Sequence, residues 1–151
     1  MTFKFGLEKI LTLRKEQVEV AYVKVEFTKK VINELKTLLI AERNRYFDDR
    51  DKLNDCVKNS SREDIPMYNS SLELAQKKMM EIIRTLRETQ SELDLFEREL
   101  IESKKNLKVL ENLKEIKLEK YLKKEAVLEQ KKLDEIVTRR FISQGDADEH
   151  D

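Results

Sequence analysis

Apolar residues recur along most of this chain at alternating steps of four and three, the spacing of a heptad repeat. Such a repeat stays on one face only if helices wrap around each other as a left-handed coiled coil. In the first half it runs through Leu7, Leu11, Arg14, Val18, Ala21, Val25, Thr28, Ile32, Leu35, Leu39, Glu42, Tyr46, Asp49, Leu53 and Cys56. In the second half it runs through Leu72, Ala75, Met79, Ile82, Leu86, Thr89, Leu93, Phe96, Leu100, Ser103, Leu107 and Leu110. We call these positions the seam.

The repeat is interrupted once, around the only proline, Pro66. Serine and aspartate cap helix ends and proline fits a first helical turn, so the pattern predicts helix one over about 4–58, a turn over about 59–66 and helix two over about 67–142. A short connection makes the helices antiparallel. The predicted fold is all-α, an elongated two-helix antiparallel coiled-coil hairpin that forms one domain over 1–142, followed by a disordered acidic tail at 143–151.

A turn centred near residue 62 would place Ile32 beside Leu93 and Val25 beside Leu100. Registers in which one helix is shifted by seven residues relative to the other remain compatible with the repeat. The N-terminus would then lie beside about residue 124, so later turns of helix two form a C-terminal overhang with no helix from the same chain beside it. Exposing a large apolar side chain costs roughly 1.5 kcal/mol or more, so we expect a partner there. The apolar residues concerned are Leu128, Leu133, Ile136, Val137 and Phe141.

Helix one also carries apolar residues off the seam, which either mark a second partner surface or are ordinary scatter. They are Phe3, Phe5, Ile10, Leu13, Val20, Val23, Phe27, Leu38, Ile40 and Phe47.

Composition fits a thin coiled coil, with 41% charged and 7% aromatic residues and a net charge of zero. The apolar residues suffice for a stripe but not for the thick interior that would enclose an active site. Zero net charge argues against a nucleic-acid binder and an electrostatic membrane anchor. No apolar run is long enough to cross a membrane, so we expect a cytoplasmic protein without direct membrane insertion.

Candidate chemistry is sparse. Cys56 is the only cysteine, so neither an internal disulfide nor a thiolate metal cluster can form, and two glycines are too few for a phosphate-binding loop. His150 lies among acidic tail residues, where we expect it to be solvated. The lysines of 104–132 alternate with glutamates, which is typical of a solvated helical face. We therefore predict no enzyme activity, no cofactor and no metal.

Both ends of the chain resemble the flagellar FliJ family. The resemblance rests on two motifs, the opening FGLEKILTLR at 5–14 and the closing QKKLDEIVTRR at 130–140. At the level of pattern it covers residues 3–141. Asn44, Tyr46 and the helix start around Tyr68 also sit where the family has similar residues, whereas Gly6 departs from it. Members are small antiparallel coiled coils of the flagellar type III protein export apparatus.

The resemblance implies a stalk whose terminal end inserts into the pore of the hexameric export ATPase, while the other end faces the export gate, a membrane protein. It also implies escort of export chaperones, a role in motility and chemotaxis, and peripheral association with the inner face of the cell membrane at the flagellar base. ATPase contacts would be Leu7, Glu8, Leu11, Arg14, Gln130, Lys132, Leu133, Asp134, Glu135, Ile136 and Arg139. Gate contacts would be Tyr68, Leu72, Ala75 and Met79.

Two other classes of function compete with this one. A structural scaffold would homodimerise through the overhang and have no ATPase partner. A nucleic-acid-binding helical arm would need a one-sided basic stripe without interleaved glutamates, and its affinity would fall steeply with salt. Mixing the chain with the purified ATPase separates the stalk hypothesis from the other two, because only the stalk hypothesis requires faster ATP hydrolysis or ring assembly.

Overall fold

The computed structural model describes residues 2–149, and two long helices contain most of them. Helix α1 spans Glu8–Lys58 and helix α2 spans Ile65–Glu149. This part of the chain contains no strand. The prediction of an all-α two-helix hairpin is therefore confirmed.

Helix α1 begins at Glu8, later than the start predicted near residue 4. Residues 2–5 lack regular structure and 6–7 form a turn, in which the Glu8 amide donates to the Phe5 carbonyl at 3.2 Å. Phe5 is only 7% exposed. Because this ring is buried outside the helix, its burial compensates for the helical turn that is not formed.

The connection between the helices covers residues 59–64. Ser60 adopts a left-handed conformation, with φ of 61°, and the Ser61 amide donates to the Cys56 carbonyl at 3.0 Å. This arrangement satisfies a carbonyl that the end of α1 would otherwise leave without a partner. Pro66 lies in the first turn of α2, where its missing amide hydrogen is not needed.

At its other end α2 continues to Glu149. Residues 143–149 are therefore helical, whereas the sequence predicted a disordered tail from residue 143. Gly145 does not end the helix, because one interior glycine costs only about 1 kcal/mol and no proline follows it. His150 lies outside the residues that the structure describes.

The chain divides into two compact units, one of which is Glu16–Lys104. Every seam position in this unit is buried or half-buried. The core consists of Val25, Ile32 and Leu93, with Leu86, Phe96 and Leu100 packed against it. The predicted register pairs, Ile32 with Leu93 and Val25 with Leu100, thus lie in the same cluster.

Two threonines interrupt the apolar seam of this unit. Thr28 and Thr89 are 5% and 9% exposed. The Thr28 hydroxyl donates to the Lys24 carbonyl at 2.8 Å, and that of Thr89 to the Thr85 carbonyl at 2.7 Å. Because both hydroxyls are hydrogen-bonded one turn back on their own helices, their burial avoids the cost of an unpaired polar group.

The second unit comprises Met1–Lys15 and Lys105–Asp151. Its seam positions from both helices are again buried or half-buried, and the least exposed is Leu11, at 2%. This unit contains all the residues that the sequence assigned to an ATPase contact.

Candidate partner-binding surfaces

Residues before α1 pack against α2 in the second unit. The Phe3 and Tyr121 ring centroids lie 5.4 Å apart at an interplanar angle of 49°, and the Lys117 ammonium lies 5.6 Å from the centre of the Phe5 ring. Glu8 forms an ion pair with Lys114 at 2.9 Å. Phe3 and Phe5, grouped from sequence with the off-seam apolar residues, therefore belong to the helix pairing.

Tyr121 lies at the end of this contact. Its hydroxyl donates to the Glu125 carboxylate, and partial burial together with the charge of Glu125 raises the pKa of the phenol above its ordinary value of 10.0. Like any tyrosine it is uncharged at neutral pH, so its ring packs against Phe3 without burying a charge.

Beyond this contact α2 is exposed on all sides. Every residue from 126 to 146 is exposed, and we call this segment the C-terminal overhang. The apolar residues that the sequence predicted to lack a partner range from 49% exposed at Ile136 to 76% at Phe141. The overhang inferred from the predicted register is therefore present.

The exposed apolar residues include a stripe on a face different from the one that contacts α1. Leu122 follows the half-buried Tyr121, a rotation of about 100° around the helix, and is itself exposed. Leu133 and Ile136 come eleven and fourteen positions after Leu122, which returns them to nearly the same direction. A partner can therefore cover this stripe without displacing α1. Leu122 was not among the residues predicted to lack a partner, although its spacing of eleven from Leu133 could have revealed it.

Polar residues border this stripe. The Gln130 amide donates to the Asp134 carboxylate at 3.2 Å, and the Thr138 hydroxyl donates to the Asp134 carbonyl at 2.7 Å. The remaining predicted contact residues here, Lys132, Glu135 and Arg139, are exposed. The closing motif thus presents apolar and charged groups on one unpaired stretch of helix.

The predicted ATPase contacts of α1 are placed differently. Leu11 is 2% exposed and packs inside the helix pair, so its side chain is unavailable to a partner while α1 and α2 remain together. Leu7 and Arg14 are half-buried, and exposed Glu8 is paired with Lys114. These residues hold the helix pair together next to the exposed stripe.

The predicted gate contacts lie near the start of α2, in the unit Glu16–Lys104. Tyr68, Leu72 and Met79 are half-buried, but Ala75 is 3% exposed and serves the packing of the helices. A shallow hollow adjoins Ala75 and is lined by Glu42, Arg45, Ser71, Leu74 and Lys78.

The polar groups around this hollow are incompletely paired. Ser71 donates to the Asp49 carboxylate, and the Gln76 amide approaches the Tyr46 hydroxyl at 3.5 Å. The Glu42 Oε2 atom is buried and has no hydrogen-bond partner among the described residues.

Neither helix has, within the described residues, a stretch long and apolar enough to cross a bilayer. No group of histidine, cysteine or carboxylate side chains in that same part of the chain could hold a metal ion.

A family model described as "Flagellar FliJ protein" matches residues 3–146. The chain belongs to the FliJ family. No curated protein and no solved structure gives a significant match. As a FliJ-family member the chain is a component of the flagellar export apparatus, with a structural role. The resemblance seen in the two end motifs is thereby confirmed.

Proposed function

We propose that this FliJ-family chain is the coiled-coil stalk that binds the hexameric export ATPase and links it to the export gate. The observation that carries the proposal is the apolar stripe of the C-terminal overhang. Leu133 and Ile136 are about half exposed although they follow a helical spacing. Burying each such side chain in a partner releases roughly 1 kcal/mol or more, which favours a complex over the free chain.

The two ends of the chain contribute differently to this contact. The overhang supplies apolar anchors, and Lys132, Asp134, Glu135 and Arg139 supply charges that fix the orientation of the partner. Leu7, Leu11 and Arg14 act from α1 by keeping the helix pair closed up to Tyr121. The ATPase would therefore recognise α2 mainly.

The gate contact is proposed for the start of α2. Tyr68, Leu72 and Met79 each leave part of the side chain exposed to a partner. Binding to a membrane-embedded gate would keep the chain at the inner face of the membrane without inserting it. Escort of export chaperones fits the same location.

The experiment is addition of the chain to the purified export ATPase. We expect faster ATP hydrolysis and more hexamer at substoichiometric amounts of chain. The variant Leu133→Ala/Ile136→Ala should lose this effect. The matched control is Val109→Ala/Ile116→Ala, which removes exposed apolar groups from α2 outside the overhang and should leave stimulation unchanged.

A homodimerising scaffold is the alternative outcome of this experiment. In that case the chain would leave ATPase activity unchanged and would sediment as a dimer that Leu133→Ala/Ile136→Ala dissociates.

A further inference from the structure

A second exposed apolar surface lies within the unit Glu16–Lys104. The hollow beside Ala75 brings Arg45 of α1 together with Ser71 and Lys78 of α2, which identifies one side of the helix pair. In a heptad repeat, residues separated by multiples of seven lie on the same side. That side therefore also contains Val31 and Leu38 of α1 and Glu92 and Glu99 of α2.

Large apolar side chains are exposed here. Phe27 precedes Val31 by one helical turn and is 67% exposed, while Leu38 is 55% exposed. On α2, Leu95 comes three heptads after Leu74 of the hollow and is 54% exposed. Val31 is half-buried between the two helices. This side of the helix pair thus carries exposed apolar residues from both helices.

The α2 edge of this surface is acidic. Glu92 and Glu99 lie one turn before and after Leu95, are exposed, and have no ion-pair partner among the described residues. A cation on the α1 edge, Lys24, lies over the Phe96 ring at 5.7 Å and forms no ion pair with either glutamate. The α2 edge beside Leu95 therefore carries two carboxylates that a basic partner can pair with.

We propose that this surface binds an amphipathic helix of another protein, with lysine or arginine along the border of its apolar stripe. We call it the acid-edged surface, formed by Phe27, Val31, Leu38, Glu92, Leu95 and Glu99. An incoming helix would pack its apolar stripe against the exposed side chains. Its basic border would pair with the two free glutamates, whereas an acidic border would be repelled. The site is separate from the residues assigned to the ATPase contact.

The test uses two synthetic helical peptides with the same leucine stripe, one bordered by lysine and one by glutamate. Fluorescence anisotropy at low salt should show binding of the lysine peptide to the full chain and much weaker binding of the glutamate peptide. Glu92→Lys/Glu99→Lys should lower the affinity for the lysine peptide about tenfold and raise the affinity for the glutamate peptide. Glu111→Lys/Glu119→Lys changes net charge equally at exposed positions elsewhere and should have little effect.

Phe27→Ser should also lower the affinity for the lysine peptide while the melting temperature of the chain is unchanged. If Phe27→Ser unfolds the chain, Leu38→Ser replaces it in this test. Equal binding of both peptides would overturn the proposal. It would also be overturned if the two charge variants had equal effects or if loss of the exposed apolar groups left binding unchanged. Self-association of the chain that Phe27→Ser abolishes would assign the surface to a second copy instead.

Discussion

The seam of Glu16–Lys104 and the C-terminal overhang carry the same kinds of residue with opposite exposure. Leu93 is 7% exposed in the seam, whereas Leu133 is 56% exposed in the overhang. Both lie on regular helix, and both belong to apolar patterns with helical spacing. A helical period therefore groups apolar residues along one side of a helix, and their burial depends on whether a second helix lies beside them.

The largest expected loss of stability comes from a substitution that disrupts the seam. Leu93→Asp places a carboxylate against Val25 and Ile32 in an apolar cluster. We expect a loss of roughly 3–5 kcal/mol in unfolding free energy, measured by urea denaturation. Leu95→Asp is the matched control on the same helix and should cost less than about 1 kcal/mol, since Leu95 is half exposed. Equal losses would mean that the seam is misassigned.

A cavity near the N-terminal end of α1 should lower the unfolding free energy somewhat less than Leu93→Asp does. Leu11→Ala removes a side chain that is 2% exposed, and we expect a loss of about 2–4 kcal/mol in unfolding free energy. Leu13→Ala, two positions later and 50% exposed, should cost less than about 1 kcal/mol. If Leu13→Ala were the more damaging variant, the burial of Leu11 would be contradicted.

The turn between the helices offers a stabilising change. Ser60 has a φ of 61°, a region that glycine enters without the steric cost paid by other residues. Ser60→Gly should raise the unfolding free energy by roughly 0.5–1 kcal/mol. Ser61→Gly is the control and should not stabilise. A lower melting temperature for Ser60→Gly would contradict the left-handed turn.

The smallest effect concerns the ion pair of the second unit. Lys114 and Glu8 meet at 2.9 Å, but their side chains are 36% and 53% exposed. Lys114→Ala should therefore cost only about 0–1 kcal/mol, and the difference should shrink in 1 M salt. A loss that is larger and independent of salt would show that packing of the lysine stem matters more than its charge.

The sequence predicted the seam well because heptad spacing is a direct consequence of helix geometry. Positions such as Thr28 and Thr89 followed the repeat and are buried although they are polar. The N-terminal segment was not predicted, because Phe3 and Phe5 pack through a non-helical conformation that has no sequence period. The segment from residue 143 was predicted to be disordered, whereas α2 continues through it to Glu149.

The exposure of the predicted contact residues followed from the sequence only in part. The repeat placed the overhang correctly, but Leu11 and Ala75 were assigned to partners and are buried within the hairpin. Position in a family motif does not distinguish a side chain that touches a partner from one that supports the contact. The sequence placed Phe27 and Leu38 among the off-seam apolar residues but did not join them to Leu95, because the alignment of the two helices was open by seven residues.

The measurement that tests the central claim most directly is titration of the purified export ATPase with the parent chain and with Leu133→Ala/Ile136→Ala. We expect the double variant to bind at least about thirtyfold more weakly, a loss on the order of 2–4 kcal/mol, because both side chains would fill pockets in the partner. Its helicity and melting temperature should be nearly unchanged, since both residues lie in the exposed overhang. Affinity equal to that of the parent chain would contradict the account, and so would unfolding of the variant.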